Sequence, residues 1–198
     1  MNKNFNEAYY RTKGFEGKYS DNPIDRGGET FHGISRKFHP EWAGWEVVDY
    51  LKDNNLIYNI PSDKKYILDN LTKDFYYYNY WKNKRLDLDK VAEYFPSLAI
   101  ELYDIAVNMG VNTAAMFLQR ALNLLNRNEK NYKNLKVDGF VGPKTYSMIN
   151  KYMKLKRVDY YIFKIVSLLK GKHYIDIIEN DESQEEFIRG WVNRIKLV

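Results

Sequence analysis

Between Gly14 and Ser35 the chain reads GFEGKYSDNPIDRGGETFHGIS, which puts four carboxylates (Glu16, Asp21, Asp25, Glu29), a Gly27-Gly28 pair and His32 within 22 residues. Two carboxyl groups in unlike surroundings can cleave a glycosidic bond. One donates a proton to the leaving oxygen, and the other activates water or attacks the sugar. Glu16, next to Phe15 and close in sequence to Tyr19, is placed for partial desolvation, which favours the protonated form a general acid needs. Asp25 follows nine residues later in a Pro- and Gly-rich stretch, where water and backbone N–H donors favour the ionised form a base needs. Beyond the glycines, the Thr30 hydroxyl could hold a water against Asp25, and His32 could bond to the carboxylates or to a sugar hydroxyl. The same residues also have purely structural uses. Glu16 can cap or salt-bridge, Asp21 and Asp25 can form Asx-turns, and Thr30 can simply fill a strand.

These residues need elements to hold them. Phe5, Ala8, Tyr9, Thr12 and Phe15 recur at helical spacing, so the pattern predicts an amphipathic helix over about residues 4–15, ending near Gly14 or Gly17 with Glu16 at its C-terminal edge. Turn formers crowd Ser20 to Gly28. ETFHGIS then alternates as a short strand, with Thr30, His32 and Ile34 on one face and Glu29 and Phe31 on the other.

Helical periods return in WEVVDYLKDNNL and in DKKYILDNLTKDFYYYNYWK, whose aromatic stripe from Tyr66 to Trp81 is expected to be core. Pro96 should open a helix apolar on most sides, which belongs at the centre of the fold and ends at Asn108, Met109 and Gly110. There the Asn108 amide could face a groove and meet a sugar or Glu16. VNTAAMFLQRALNLLN is a further helix, with Ala114 and Ala115 small enough for close packing. Asp138 and Gly139 predict a turn, and Gly142 with Pro143 a new helix start. Leu155 to Lys170 and SQEEFIRGWVNRIK read as helical, the latter opened by a capping box from Ser183 to Glu186. No repeat and no long linker interrupts the chain. The expected fold is mainly α with one small early β-hairpin, a single body of two lobes divided as 1–95 and 96–198.

Composition narrows the partners. Aromatic residues make up 16% of the chain, with 18 Tyr and 4 Trp, so core and grooves alike must be lined by rings with polar handles, which suits an amphipathic ligand such as carbohydrate. The net charge of +5 favours polyanionic surfaces, nucleic acid, anionic lipid and bacterial wall among them, without choosing between them. The absence of cysteine excludes disulfides and thiolate metal sites, and the three histidines show no metal-ligand spacing. The N-terminus lacks the apolar run of a signal peptide, which predicts synthesis as a cytoplasmic product. The longest apolar run, Tyr160 to Leu169, is broken by Lys164 and falls short of the roughly 20 residues a membrane span needs.

EGKYSDNPIDRGGETFHGIS resembles the E-G-G-Y-x-N-D-P-x-D-x-G-G-E-T-x-x-G-I signature of the glycoside hydrolase 108 family of N-acetylmuramidases, found in phage endolysins and bacterial lysis or secretion proteins. The likeness continues through DIAVNMG, FLQRALN, VDGFVGPKT and SQEEFIRGWVNRI, which resemble the helical predicted peptidoglycan region of such proteins. On this resemblance Glu16 takes the place of the catalytic glutamate, Asp25 that of the Asp before the Gly-Gly pair, and Thr30 that of the Thr in G-G-E-T. Departures are Lys18 for Gly, Asp21-Asn22 for Asn-Asp, and Arg26 where Pro is common. A more distant likeness to phage-type lysozymes implies a lysozyme-like body with its groove between two lobes. It also implies an inverting reaction, with the carboxyl groups about 6.5 to 9.5 Å apart. DGFVGPKT resembles a short motif of wall-binding modules, but equally meets the demands of a tight turn before a helix.

The resemblance therefore implies a muramidase that cuts the β-1,4 bond between N-acetylmuramic acid and N-acetylglucosamine. Glu16 would be the general acid, Asp25 the base or an electrostatic stabiliser and Thr30 the water positioner, and Tyr19, Glu29, His32 and Asn108 would touch substrate. Whether Glu29 shares the role of second carboxylate stays open. No metal and no cofactor is expected. The partner would be bacterial peptidoglycan rather than nucleic acid, with no stable membrane insertion, and the protein would be a monomer. It would act on the wall, in the periplasm or outside, after release or secretion. Two rivals are a lytic transglycosylase, which closes the muramic 6-hydroxyl on itself without water, and a wall-binding protein on the same scaffold without turnover.

Overall fold

The structure, a computed structural model, describes residues 1–13, 19–21, 28–155 and 158–195. Glu16 and Asp25 lie outside the described residues. So do Phe15, Gly14 and Gly17 at the expected helix end, the turn from Asn22 to Gly27, and Lys196 at the end of the last expected helix. The chain divides into two compact units, Met1–Asn79 and Tyr80–Val198.

In the first unit, α1 (Lys3–Lys13) buries Phe5, Ala8 and Tyr9 along the stripe its spacing foretells. Phe5 meets Tyr9 at 5.7 Å between ring centroids and Tyr77 edge-on at 5.0 Å. Three two-residue strands, β1 (Tyr19–Ser20), β2 (Thr30–Phe31) and β3 (Ile34–Ser35), pair antiparallel with β2 in the middle. Strands this short cannot hold themselves, so their support must come from packing. Phe31 stacks on Trp42 at 6.0 Å, and Trp42 meets Trp45 edge-on at 5.0 Å. Trp45 belongs to α2 (Gly44–Asp53), which packs on α3 (Ser62–Tyr76), and the Trp42 indole N–H donates to the Leu71 carbonyl of α3 at 3.3 Å. The sheet thus rests on an aromatic bed carried by two helices.

The aromatic stripe from Tyr66 to Trp81 does not run straight. Tyr76 and Trp81 are buried, whereas Tyr66 and Tyr78 are 71% and 65% exposed. After α3 the chain loosens into a π turn over Tyr77–Trp81, whose i to i+5 closure changes which side chains face inward. That change separates exposed Tyr78 from buried Trp81, whereas Tyr66 lies on the exposed face of the regular part of α3.

The second unit begins with a hairpin absent from the expected fold: β4 (Lys82–Asn83) pairs with β5 (Leu86–Asp87). The Asn83 side chain accepts from Arg85 N at 2.9 Å and so shapes the turn. A short α4 (Leu88–Ala92) leads to α5 (Pro96–Met109), which starts with Pro at its first turn and buries Leu98, Ala99, Leu102, Ile105 and Ala106. It packs against α4, α6 (Val111–Leu124) and α8 (Val158–Asn180), the central place its apolar surface demands. Ala114 and Ala115 are fully buried on α6. α7 (Pro143–Met153) again opens on Pro.

The C-terminal segment differs in detail from expectation. Asp181, not Ser183, caps it by accepting from Ser183 N at 3.1 Å, and a 3-10 stretch over Glu182–Phe187 precedes the short α9 (Ile188–Val192). The carboxylate two residues upstream wins because it also accepts the Ser183 hydroxyl, at 2.6 Å.

Between α6 and α7 the chain has no regular structure, and α6 supplies its hydrogen bonds from side chains. Gln119 and Asn123 lie one turn apart on α6, and Asn126 follows just beyond the helix end. Gln119 Oε1 accepts from the N–H groups of Asp138 and Gly139 at 3.1 and 3.0 Å, and its Nε2 donates to the Phe140 carbonyl at 3.0 Å. Asn123 both donates to Leu135 O and accepts from Leu135 N, at 2.8 and 2.7 Å. The buried Asn126 bonds in the same way to both backbone groups of Tyr132. Amide side chains here do for an extended segment what a neighbouring strand does in a sheet. The turn at Asp138 and Gly139 is as expected, and it requires glycine. Gly139 has φ +70, and a Cβ there would stand 2.0 Å from the Asn112 side chain.

Candidate functional site

The sheet of the first unit carries the residues singled out around the Gly-Gly pair. Thr30 is half-buried in the central strand, opposite Ser20 on one side and Ser35 on the other. His32 does not share its face. The run ETFHGIS is two strands joined by a tight turn in which His32 (φ 47) and Gly33 (φ 78) both adopt the left-handed conformation of a type I′ hairpin. The signal was His32-Gly33, since glycine is at home there and His is among the side chains that tolerate positive φ. The His32 ring turns edge-on to Phe31 at 4.7 Å, and its carbonyl accepts from the Tyr76 hydroxyl at 2.8 Å, so α3 anchors the turn.

Glu29, at the entry to β2, is surrounded by donors. Its Oε1 accepts from Lys52 Nζ at 2.8 Å and from the Tyr19 hydroxyl at 3.0 Å, while its Oε2 lies 2.8 Å from Arg36 Nε. Arg36 spreads its other two nitrogens over Asp49, at 2.6 and 3.2 Å, and stacks its guanidinium on Trp45 at 4.5 Å from the ring centre. The hydrogen bond to Glu29 holds the Lys52 ammonium above the ordinary lysine value, and Asp49 does the same for Arg36. Burial, followed by the bond to Glu29, raises Tyr19. Lys52 Nζ also lies 3.9 Å from Asp21. One α2 lysine therefore touches Asp21 and Glu29, the two carboxylates that stand on either side of residues 22–28.

This network sorts the motif's acidic residues. Glu29 serves protein groups, which differs from a carboxylate reserved for substrate or water. Lys52, Arg36 and Asp49 escaped notice because their partners lie far away in sequence, Glu29 being 23 residues from Lys52 and Asp21 farther still. The available signal was Asp49 and Lys52 three apart on one helix face. Tyr19 combines its bond to Glu29 with an edge-on contact to Tyr58 at 6.1 Å. Tyr19 and His32 both border a cleft of about 480 Å³ that runs on to the α2–α3 connection and α3.

Asn108 belongs to the second unit, at the end of α5. Its amide donates to the Asp104 carbonyl at 2.7 Å, and its oxygen accepts from Arg194. Both halves of the side chain thus have partners in that unit.

The family described as glycosyl hydrolase 108 matches residues 9–110. The chain belongs to that family. A second family, described as predicted peptidoglycan domain, matches residues 113–196. Together they make the chain a glycoside hydrolase acting on peptidoglycan, and hence on the cell wall. The solved structure of SagA from Brucella abortus shares 20% identity with a TM-score of 0.57, over 96% of this chain and 88% of its own, and shows the same fold. No curated protein matches in sequence. The mainly α fold with a small early sheet is the one expected, and no helix among the described residues is long and apolar enough to cross a membrane.

Proposed function

We propose that the chain is an N-acetylmuramidase that hydrolyses the β-1,4 bond between N-acetylmuramic acid and N-acetylglucosamine, with Glu16 as general acid and Asp25 as the base. The observation that supports this division is the engagement of the motif's other carboxylates. Glu29 is held by Lys52, Arg36 and Tyr19, and Asp21 lies beside Lys52. Acid and base roles then fall to Glu16 and Asp25, the two residues the family resemblance selects.

In the proposed reaction Glu16 protonates the glycosidic oxygen as the bond to the anomeric carbon breaks. Asp25 takes a proton from the attacking water, and Thr30, from the middle strand, orients that water. The two family regions would work as one enzyme, the second holding the wall while the first cuts it. Tyr19 and His32 would contact the glycan through the cleft they border.

Mass spectrometry of muropeptides released from purified walls tests the reading. Reducing muramic ends from the wild type, with turnover lost by about 100-fold or more in Glu16→Gln and Asp25→Asn, is the expected result. Anhydro-muramic ends would replace hydrolysis by transglycosylation. Release undiminished in Glu16→Gln would refute the acid.

A further inference from the structure

The helix α8 is apolar on the side it buries and again on the side it exposes. Ile162, Val166, Leu169 and Tyr174 are buried where the helix packs within the second unit, on α5 and α6 among others. On the other side Tyr161, Leu168 and Ile175 recur every seven residues, close to two turns, so they form one line along the helix. All three are open to solvent, Leu168 to 58%. Leu124, exposed at the end of α6, and Leu155 widen the start of the line, since both border with Tyr161 a cavity of about 490 Å³. Apolar surface on both sides is the pattern of a helix covered all round. The line therefore calls for a partner.

Charge selects that partner, because the two ends of α8 differ in sign. Before it, from Arg127 to Lys154, stand seven basic residues against two acidic ones, and all seven are exposed. Arg127 borders the same cavity as Tyr161, and Lys151 and Lys154 adjoin its Tyr152 and Leu155, which puts this charge at the start of the line. Both acidic residues of the stretch serve the backbone. Glu129 accepts from Asn134 N at 2.9 Å, and Asp138 from Phe140 N at 3.0 Å. At the far end Glu179, Glu182, Glu185 and Glu186 are exposed, with no basic residue among them. Among the described residues, neither the seven basic groups nor these four carboxylates form an ion pair.

A uniformly anionic bilayer or polymer would attract one end of this surface and repel the other. A second copy of α8 laid antiparallel sets each basic end against an acidic one. It also puts Leu168 on Leu168 and Tyr161 on Ile175. Lys172, which that pairing brings towards Lys164, already has Asp176 as its partner.

We propose that the exposed side of α8 is a homodimer interface, in which two copies pair antiparallel about a two-fold axis at Leu168. The monomer expected from the sequence is then the dilute form. The interface is built from the second unit and is independent of the chemistry assigned to the first.

Sedimentation velocity of the full chain across a range of concentrations tests it. The wild type should dimerise with a Kd in the micromolar range and less tightly as salt rises. Leu168 is exposed, so Leu168→Lys leaves the fold intact, as circular dichroism verifies, and it should weaken association about 100-fold by placing two like charges at the axis. Lys151→Glu with Lys154→Glu, and Glu179→Lys with Glu182→Lys, should each weaken self-association about tenfold. An equimolar mixture of these two double variants should restore it, since each then meets an end of opposite sign. A wild type that is still monomeric at about 100 μM overturns the proposal. So does a dimer that Leu168→Lys leaves intact, or a mixture in which the charge variants do not restore each other.

Discussion

Each unit contains a lysine held by two carboxylates, and the two lysines live in different solvents. Lys52 in the first unit is 35% exposed, and its partners Glu29 and Asp21 are 12% and 56% exposed. Lys170 in the second is fully buried, with Glu101 at 2% and Asp104 at 19%. The Lys170 ammonium spends all three donors, on Glu101 at 2.9 Å, Asp104 at 2.6 Å and the Arg194 carbonyl at 2.7 Å. Where water can take over for a lost partner, an ion pair adds little stability and its worth lies in where it puts things. Where water cannot, the same chemistry fixes one arrangement, because every other leaves a charge stranded.

That arrangement is the docking of the chain's end. Arg194 comes to Lys170 through its carbonyl and to Asn108 through its guanidinium, and Trp191 stacks on Tyr174 at 5.0 Å with the planes 18° apart. Burial pushes Tyr174 up to about 12. Lys170→Met is the sharpest break, since it abandons Glu101 and Asp104 together. Denaturant unfolding should show a loss of about 3–5 kcal/mol, and adding Glu101→Leu should recover part of it. A loss below about 1 kcal/mol would mean that water reaches the site and that the contrast with Lys52 is false.

The next effect belongs to the amide face of α6. Gln119→Ala leaves the N–H groups of Asp138 and Gly139 and the carbonyl of Phe140 without their partner, and should cost about 1–3 kcal/mol. Gln119 also holds the Asp138 carboxyl below its ordinary 3.8. A lowered folded value stabilises above pH 3.8 and ceases to do so as pH falls through it. The gap between wild type and Gln119→Ala should therefore narrow in acid, as measured by unfolding at pH 7 and near pH 3.

The sequence made some of this legible and hid the rest for identifiable reasons. Pro96 and Pro143 mark helix starts because a residue without an N–H fits where no intrahelical partner exists. The buried face of α5 follows from an apolar period that nothing overrides. The β4–β5 hairpin stayed hidden because KNKRLD has neither glycine nor β-branched residues, and its turn depends on the Asn83 side chain. The His32-Gly33 turn was written in the sequence, yet period-two alternation on both sides masked it. The family motif marks Glu16, Asp25 and Thr30, while the lattice that grips Glu29 is assembled from α2, and pairing across such a distance leaves no local pattern. The cleft is hidden for the same reason, as its walls come from β1, the β2–β3 turn, the α2–α3 connection and α3.

Lys52→Met should have the smallest effect on stability, less than about 1 kcal/mol, because its ammonium is partly in water and Arg36 keeps its hold on Glu29. Its effect on turnover should be out of proportion to that. Lys52 touches Asp21 and Glu29, so it fixes how far apart the chain enters and leaves residues 22–28, where the proposed base resides. A shift of about 1 Å in a reacting group can cost up to about 100-fold in rate. Lys52→Met should therefore lower kcat on walls with KM nearly unchanged, and Lys52→Arg should restore much of it by supplying a cation of similar reach. If stability and kcat fall in proportion, Lys52 is one more structural ion pair, and the two lysines differ only in degree.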